Sequence, residues 1–231
     1  MFDKKIINRN SCTFSVLACV FLTFSYVASL YVWKTKLSRD HPSTIKRRFF
    51  SVSCMMLLAP FFTQYFFTEE TLRQGDVYEH LGLRTSGLVY ASILPLLLTG
   101  ILFLGPLTMQ FLSGIWKLYA AHFHHMFEQL KAGFEFKTAL MISTFQFTYT
   151  SLFGAYSAYL FVRTGHFMAP LVAHMFCNHM GFPNFGEIGE FPPLQRVTII
   201  FNFLLGFALW CFLLTRLTSP YIYDNRLYSE T

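Results

Sequence analysis

TSGLVYASILPLLLTGILFLGPLTMQFLSGIW, residues 85–116, runs for 32 positions without a charged side chain. About 20 apolar residues suffice for a helix to cross a hydrocarbon layer of about 30 Å. Pro95 and the pair Gly105-Pro106 interrupt this run, so it predicts one long kinked span or a span followed by a re-entrant piece. Further charge-free runs lie on either side. Cys12 to Trp33 covers 22 residues, and Phe49 to Thr68 follows a basic loop from Lys34 to Arg48. Downstream come Thr138 to Val162, a shorter Phe167 to Phe182 that carries His174, Asn178 and His179, and Val197 to Thr215 before a polar tail. The pattern predicts an all-α chain, a polytopic membrane helix bundle of about five or six spans forming a single membrane domain over 1–231.

Composition agrees. Of the 231 residues 54% are hydrophobic and 13% charged, and 29 are phenylalanine. A soluble globular domain carries about 25% charged residues, so this chain has too little polar surface to face water all round. The same numbers exclude a disordered chain, a fibrous repeat and a secreted disulfide scaffold. The net charge of +6 would raise nucleic acid as a partner in a soluble protein. Here Lys34, Lys36, Arg39, Lys46, Arg47 and Arg48 cluster beside apolar runs, as the positive-inside rule produces. They are read as topology, with no nucleic-acid site. Placing them in the cytosol puts the N-terminus across the membrane and brings Lys117, Lys131 and Lys137 to the cytosolic side as well.

Lys4, Lys5 and Arg9 before the first run resemble the start of a signal peptide. The length of that run and the absence of a small-residue cleavage site argue for a retained span. Cys12, Cys19, Cys54, Cys177 and Cys211 are odd in number and form no CxxC pair, so they are read as small core residues of membrane helices.

Six of the eight histidines fall between 122 and 179. His174 and Asn178 are four apart on a predicted helix and so share a face. A histidine beside an amide in a dry setting suits proton transfer or stabilisation of a developing oxyanion. The same pair would serve equally as interhelical hydrogen-bonders. His122, His124 and His125 with Glu128 admit a metal reading, since His124 and Glu128 share a helix face. No HExxH and no second acidic ligand set accompanies them, and no metal site is assigned. His166 and His179 receive no role. No phosphate loop, GxSxG elbow or persuasive Cys-His pair is present.

AHFHHMFEQL (121–130) and FQFTYTSLFGAYSAYLFVRTGHFMAPLVAHMFCNHMGFP (145–183) closely resemble the type II CaaX prenyl endopeptidases, with 121–183 the best-matching part. LSRDHPSTIKRRF (37–49) and ILPLLLTGILFLGPL (93–107) are similar to the same family's N-terminal half. The resemblance implies a multi-pass protease of the endoplasmic reticulum membrane with the CPBP or abortive-infection type of intramembrane protease fold. Its substrates would be prenylated CaaX proteins such as Ras-type GTPases, which lose their last three residues. It further implies that a Glu of an EExxxR motif and a His of an FxxxH motif activate water. A His and an Asn of an HxxxN motif would then hold the oxyanion. Carried over, the FxxxH histidine matches His122, and HxxxN matches His174 and Asn178. The chemistry needs no organic cofactor, and the partners implied are prenylated proteins and the lipid bilayer.

The family pattern is not complete. Residues 107–119, LTMQFLSGIWKLY, run straight into AAHFHH, where the family would have a further stretch of several tens of residues bearing EExxxR. Leu118 stands where FxxxH needs phenylalanine. Glu69-Glu70-Thr71-Leu72-Arg73 reads EExxR, one residue short, which moves the arginine by about 100° around a helix; it is taken as a solvated loop. None of the twelve acidic residues lies within a long apolar run. Glu128 is the nearest substitute carboxylate. The expectation is therefore a fold that is incomplete and a chain that is weakly active or inactive. The rival readings are a non-catalytic membrane protein that binds prenylated tails or the full-length protease, and a histidine-rich metal protein.

Overall fold

The computed structural model describes residues 4–34, 37, 41–67, 69–113 and 136–228. Every regular element among them is helical. Two compact units, Met1–Leu81 and Gly82–Thr231, are taken in turn.

The first unit holds α1 (Lys4–Ser29), α2 (Pro42–Gln64), α3 (Glu69–Gln74) and α4 (Val77–His80). The basic segment predicted as a loop is partly helical. Pro42 opens α2 because its missing N–H falls where a helix has none to satisfy, and the His41 ring accepts from the Ser43 N–H. Lys46, Arg47 and Arg48 therefore stand in the first two turns of α2. Phe21 of α1 meets Phe62 of α2 with ring centroids 5.5 Å apart, and Trp33 Nε1 donates to Ser51 Oγ at 2.7 Å. The Glu69–Arg73 segment, predicted as a loop, is the helix α3, with Arg73 near its C-terminus where the helix dipole favours a cation. Asp76 and Glu79 form a reciprocal capping box that starts α4.

The second unit holds α5 (Leu88–Leu102), α6 (Leu104–Ser113), α7 (Phe136–Thr164), α8 (Met168–Met180), a 3₁₀ turn (Phe185–Glu190), α9 (Pro193–Leu217) and a second 3₁₀ turn (Pro220–Tyr223). α5 packs on α8 and α9, α6 on α9, and α7 on α8. Within the 85–116 run, Leu88–Leu102 and Leu104–Ser113 are two helices bent by 67°. The break falls at Phe103, just before Gly105-Pro106, and Pro95 is accommodated within α5. Proline at 106 has no N–H to bond the carbonyl four residues back, which is where a continuous helix would fail.

Close approach holds these helices together. Ala169 and Ala173 are fully buried with Leu160, and Tyr156 packs against them. Polar bridges supplement the contact: Thr99 Oγ1 with Tyr156 Oη at 3.2 Å, Asn202 Nδ2 donating to Thr108 Oγ1 at 2.9 Å, and Tyr159 Oη with Thr218 Oγ1 at 3.1 Å.

Among the described residues, α9 alone is by itself long and apolar enough to cross a membrane, and α5 with α6 passes as a bent pair. Only 11% of the most apolar stretch of α9 is buried. Phe201, Leu204, Phe207 and Phe212 all point outward. An apolar helix with so little protein around it needs another apolar medium, and the fold is consistent with a membrane helix bundle. Cys19 and Cys211 are exposed on such outward faces rather than packed in a core, and Cys54 and Cys177 are half-buried; all four are free thiols.

As far as Tyr228 the polar tail is folded. Asn225 Nδ2 donates to the carbonyls of Val162 (2.9 Å) and Arg163 (3.1 Å), and its Oδ1 accepts from the Tyr228 N–H at 3.3 Å. Those two carbonyls belong to the last turn of α7, which lacks partners of its own. Arg84 donates to the carbonyls of Tyr223 and Asp224, and Ser86 Oγ to Asp224 Oδ2 at 3.2 Å. Gly165 (φ +63°) ends α7 in the left-handed region, and a Cβ there would lie 2.7 Å from Asn225 Oδ1.

Candidate functional site

α8 carries the site. Ala169, Ala173 and Met180 form its buried face. At 100° per residue, His174 and Asn178 fall well away from that face, and both are exposed. Their shared side is fixed by helix periodicity. The Asn178 amide Nδ2 donates to His174 Nε2 at 2.8 Å. The His174 ring also rests against Phe153 of α7, centroids 5.5 Å apart, so the pair is held from two helices.

This geometry fixes a tautomer. Nε2 accepts and so carries the lone pair, leaving the proton on Nδ1. A histidine and an amide side by side offer N–H donors to an anionic oxygen. With Nε2 an acceptor, the two can donate to one oxygen only after the amide turns away and the ring takes up a proton at Nε2. Phe176, between the two polar residues in sequence, meets Phe103 edge-on at 5.4 Å, tying this helix to the α5–α6 bend.

His122, His124, His125 and Glu128 lie outside the described residues, so the structure brings only His174 and Asn178 together. The described residues contain no group of three His, Cys, Asp or Glu side chains able to hold a metal ion. Glu187, in the turn after α8, accepts from Asn184 Nδ2 at 3.1 Å.

One buried polar group escaped sequence reasoning. His166 sits in the turn between α7 and α8 and is fully buried. Burial, and then the Arg84 guanidinium, lower its pKa below the ordinary 6.5. Nothing local signalled this, because Arg84 lies 82 residues away in the chain.

Comparison with known proteins places this chain. No family model matches it, and no solved structure does. Among curated proteins, CAAX prenyl protease 2 of Homo sapiens is 34% identical over 278 aligned positions, which take in 93% of this chain and 84% of the human protein. CAAX prenyl protease 2 of Rattus norvegicus is 31% identical, over 93% of this chain and 83% of its own length. The protein of that name from Caenorhabditis elegans is 37% identical over 111 residues, 48% of this chain. With identity at this level sustained along nearly the whole sequence, the chain belongs to the CAAX prenyl protease 2 family.

Proposed function

We propose that the ancestral chemistry of this chain is removal of the last three residues of prenylated CaaX proteins such as Ras-type GTPases. It would act as a multi-pass protein of the endoplasmic reticulum membrane, with five or six spans in the family's intramembrane protease fold. The observation that carries the reading is the His174–Asn178 pair, an imidazole and an amide hydrogen-bonded four residues apart on one helix face beside Phe153, which would supply oxyanion donors once Nε2 is protonated. Hydrolysis of a peptide bond passes through a tetrahedral intermediate whose oxygen needs such donors. In this reading His122, in concert with a carboxylate, activates the water that attacks the carbonyl.

The carboxylate is the missing member. In 231 residues, 93% is about 215, so an alignment of 278 positions leaves about 60 with no counterpart in this chain. That supports an internal shortening, and residues 107–122 are where the family's EExxxR segment would stand. Without a paired base the hydrolytic rate falls by orders of magnitude, as removal of a general base does elsewhere. We therefore propose a weakly active or inactive protease, Glu128 being the nearest substitute carboxylate. The absent glutamate also favours a second reading, a non-catalytic membrane protein that binds prenylated tails or the full-length protease.

The test is tripeptide release from a farnesylated CaaX peptide by membranes containing only this chain, beside His174→Ala. No release above empty membranes, with the chain shown to be inserted, is the expected result. Release that His174→Ala abolishes would overturn the proposed inactivity and leave the family chemistry standing. Retention of the uncleaved farnesylated peptide, against a non-prenylated control, would favour the binding reading.

A further inference from the structure

The end of α1 and the start of α2 enclose a cavity of about 260 Å³ lined by Leu30, Tyr31, Trp33, Lys34, Leu37, Thr44, Arg47 and Arg48. Among the described residues, no acidic side chain lines it. Among the described residues, Lys34, Arg47 and Arg48 form no ion pair. The Arg47 Cζ lies 5.8 Å from the Trp33 ring centroid and the Arg48 Cζ 5.7 Å from that of Tyr31. A guanidinium laid on an aromatic face keeps its N–H edge free for a planar or tetrahedral anion.

Two further features ask for a negative ligand. Thr44 is 4% exposed and lines the cavity, yet its Oγ1 makes no hydrogen bond. A buried hydroxyl without a partner is costly and rare. The first turn of α2 also has no acid, and its next residues are Lys46, Arg47 and Arg48. Three cations in consecutive positions repel one another, and an anion among them relieves that repulsion. Exposed Tyr31, Val32 and Trp33 beside the cavity have the aromatic character of residues at a membrane–water boundary.

We propose that this cavity binds the phosphate of an anionic phospholipid. Arg47 and Arg48 clasp the phosphate oxygens, Thr44 Oγ1 donates to one of them, and Lys34 adds charge from the segment after α1. Leu30 and the face of Trp33 receive the glycerol and the upper acyl carbons. The ligand's charge and its apolar stem match the two halves of the lining.

The test uses the full chain in detergent micelles titrated with dihexanoyl phosphatidic acid, read by Trp fluorescence and thermal stabilisation. Dihexanoyl phosphatidylcholine and inorganic phosphate are the comparison ligands. Phosphatidic acid should bind at least about tenfold more tightly than either, the scale of one charge-assisted contact pair. Arg47→Gln with Arg48→Gln should weaken it by about tenfold or more, and Thr44→Val by a few-fold. A double variant of equal charge loss elsewhere, Arg73→Gln with Lys137→Gln, should leave it unchanged. The Thr44→Val chain, nearly isosteric, and matching helical circular dichroism guard against misfolding. Equal losses in both double variants would overturn the site. Saturation by inorganic phosphate at the same concentration as phosphatidic acid would overturn the lipid assignment.

Discussion

Asn225 joins the tail to the end of α7, and its removal is the sharpest test of how the second unit is held. Asn225→Ala deletes three hydrogen bonds: two from Nδ2 to the Val162 and Arg163 carbonyls and one from the Tyr228 N–H to Oδ1. Each is worth about 1 kcal/mol net, and the residue is 3% exposed, so water cannot freely replace the partner. The two carbonyls it leaves belong to a helix end that has no internal partners for them. The expected loss is about 2–4 kcal/mol. Asn225→Asp keeps the acceptor and shape but loses the amide donor, and sets a negative charge against the negative end of the α7 dipole. It should be no more stable than Asn225→Ala. The assay is unfolding in mixed micelles by titration with sodium dodecyl sulfate, followed by circular dichroism, with limited proteolysis of the tail alongside. Wild-type stability in Asn225→Asp would refute the reasoning, since the bond to Tyr228 would then carry the residue and the α7 cap would count for nothing.

Other outcomes follow from contacts already described. Gly206→Ala would place a Cβ 2.5 Å from the Ile101 carbonyl and 3.2 Å from Leu104 Cβ, prising α9 off the α5–α6 bend, and should cost about 1–3 kcal/mol or more in the same unfolding assay. Gly100→Ala meets nothing within 4 Å in the interior of α5, and should stabilise by about 0.5–1 kcal/mol. His166 is held neutral in the fold, with its pKa below 6.5, so the unfolded chain binds its proton more readily. Stability contributed by the neutral ring is full above about pH 6.5 and falls as the pH drops below it. Unfolding midpoints measured between pH 7 and 5 should therefore decline, and His166→Gln should flatten the decline. Asp224 is held below the usual carboxylate range by Arg226 and then by the Ser86 hydroxyl. Ser86→Ala should let its pKa rise, readable by NMR titration of the carboxyl carbon.

Sequence alone determined whatever is local or summed over the chain. The apolar runs placed α1, α2, α5–α6, α7, α8 and α9, because an apolar helix is written in consecutive residues. His174 and Asn178 share a face because four residues turn about one helical revolution, and the structure then adds the bond and the Phe153 brace. That no EExxxR occurs anywhere in the chain was likewise legible in consecutive residues.

Tertiary structure decided the rest. Asn225 finds carbonyls 62 and 63 residues away, and Arg84 reaches carbonyls 139 and 140 residues away. No periodicity encodes such a pairing, since a polar tail reads the same whether solvated or docked. The 67° bend at Phe103 shows only in the fold, where Gly105 lies against Phe203 of α9 and Gly206 of α9 lies against the Ile101 carbonyl. The stretch Lys34 to Arg48 read as topology, and only the fold turned its arginines onto Trp33 and Tyr31 around an unpartnered hydroxyl. Charge and hydropathy are properties of residue types, whereas a site needs their side chains to converge, and convergence is set by packing.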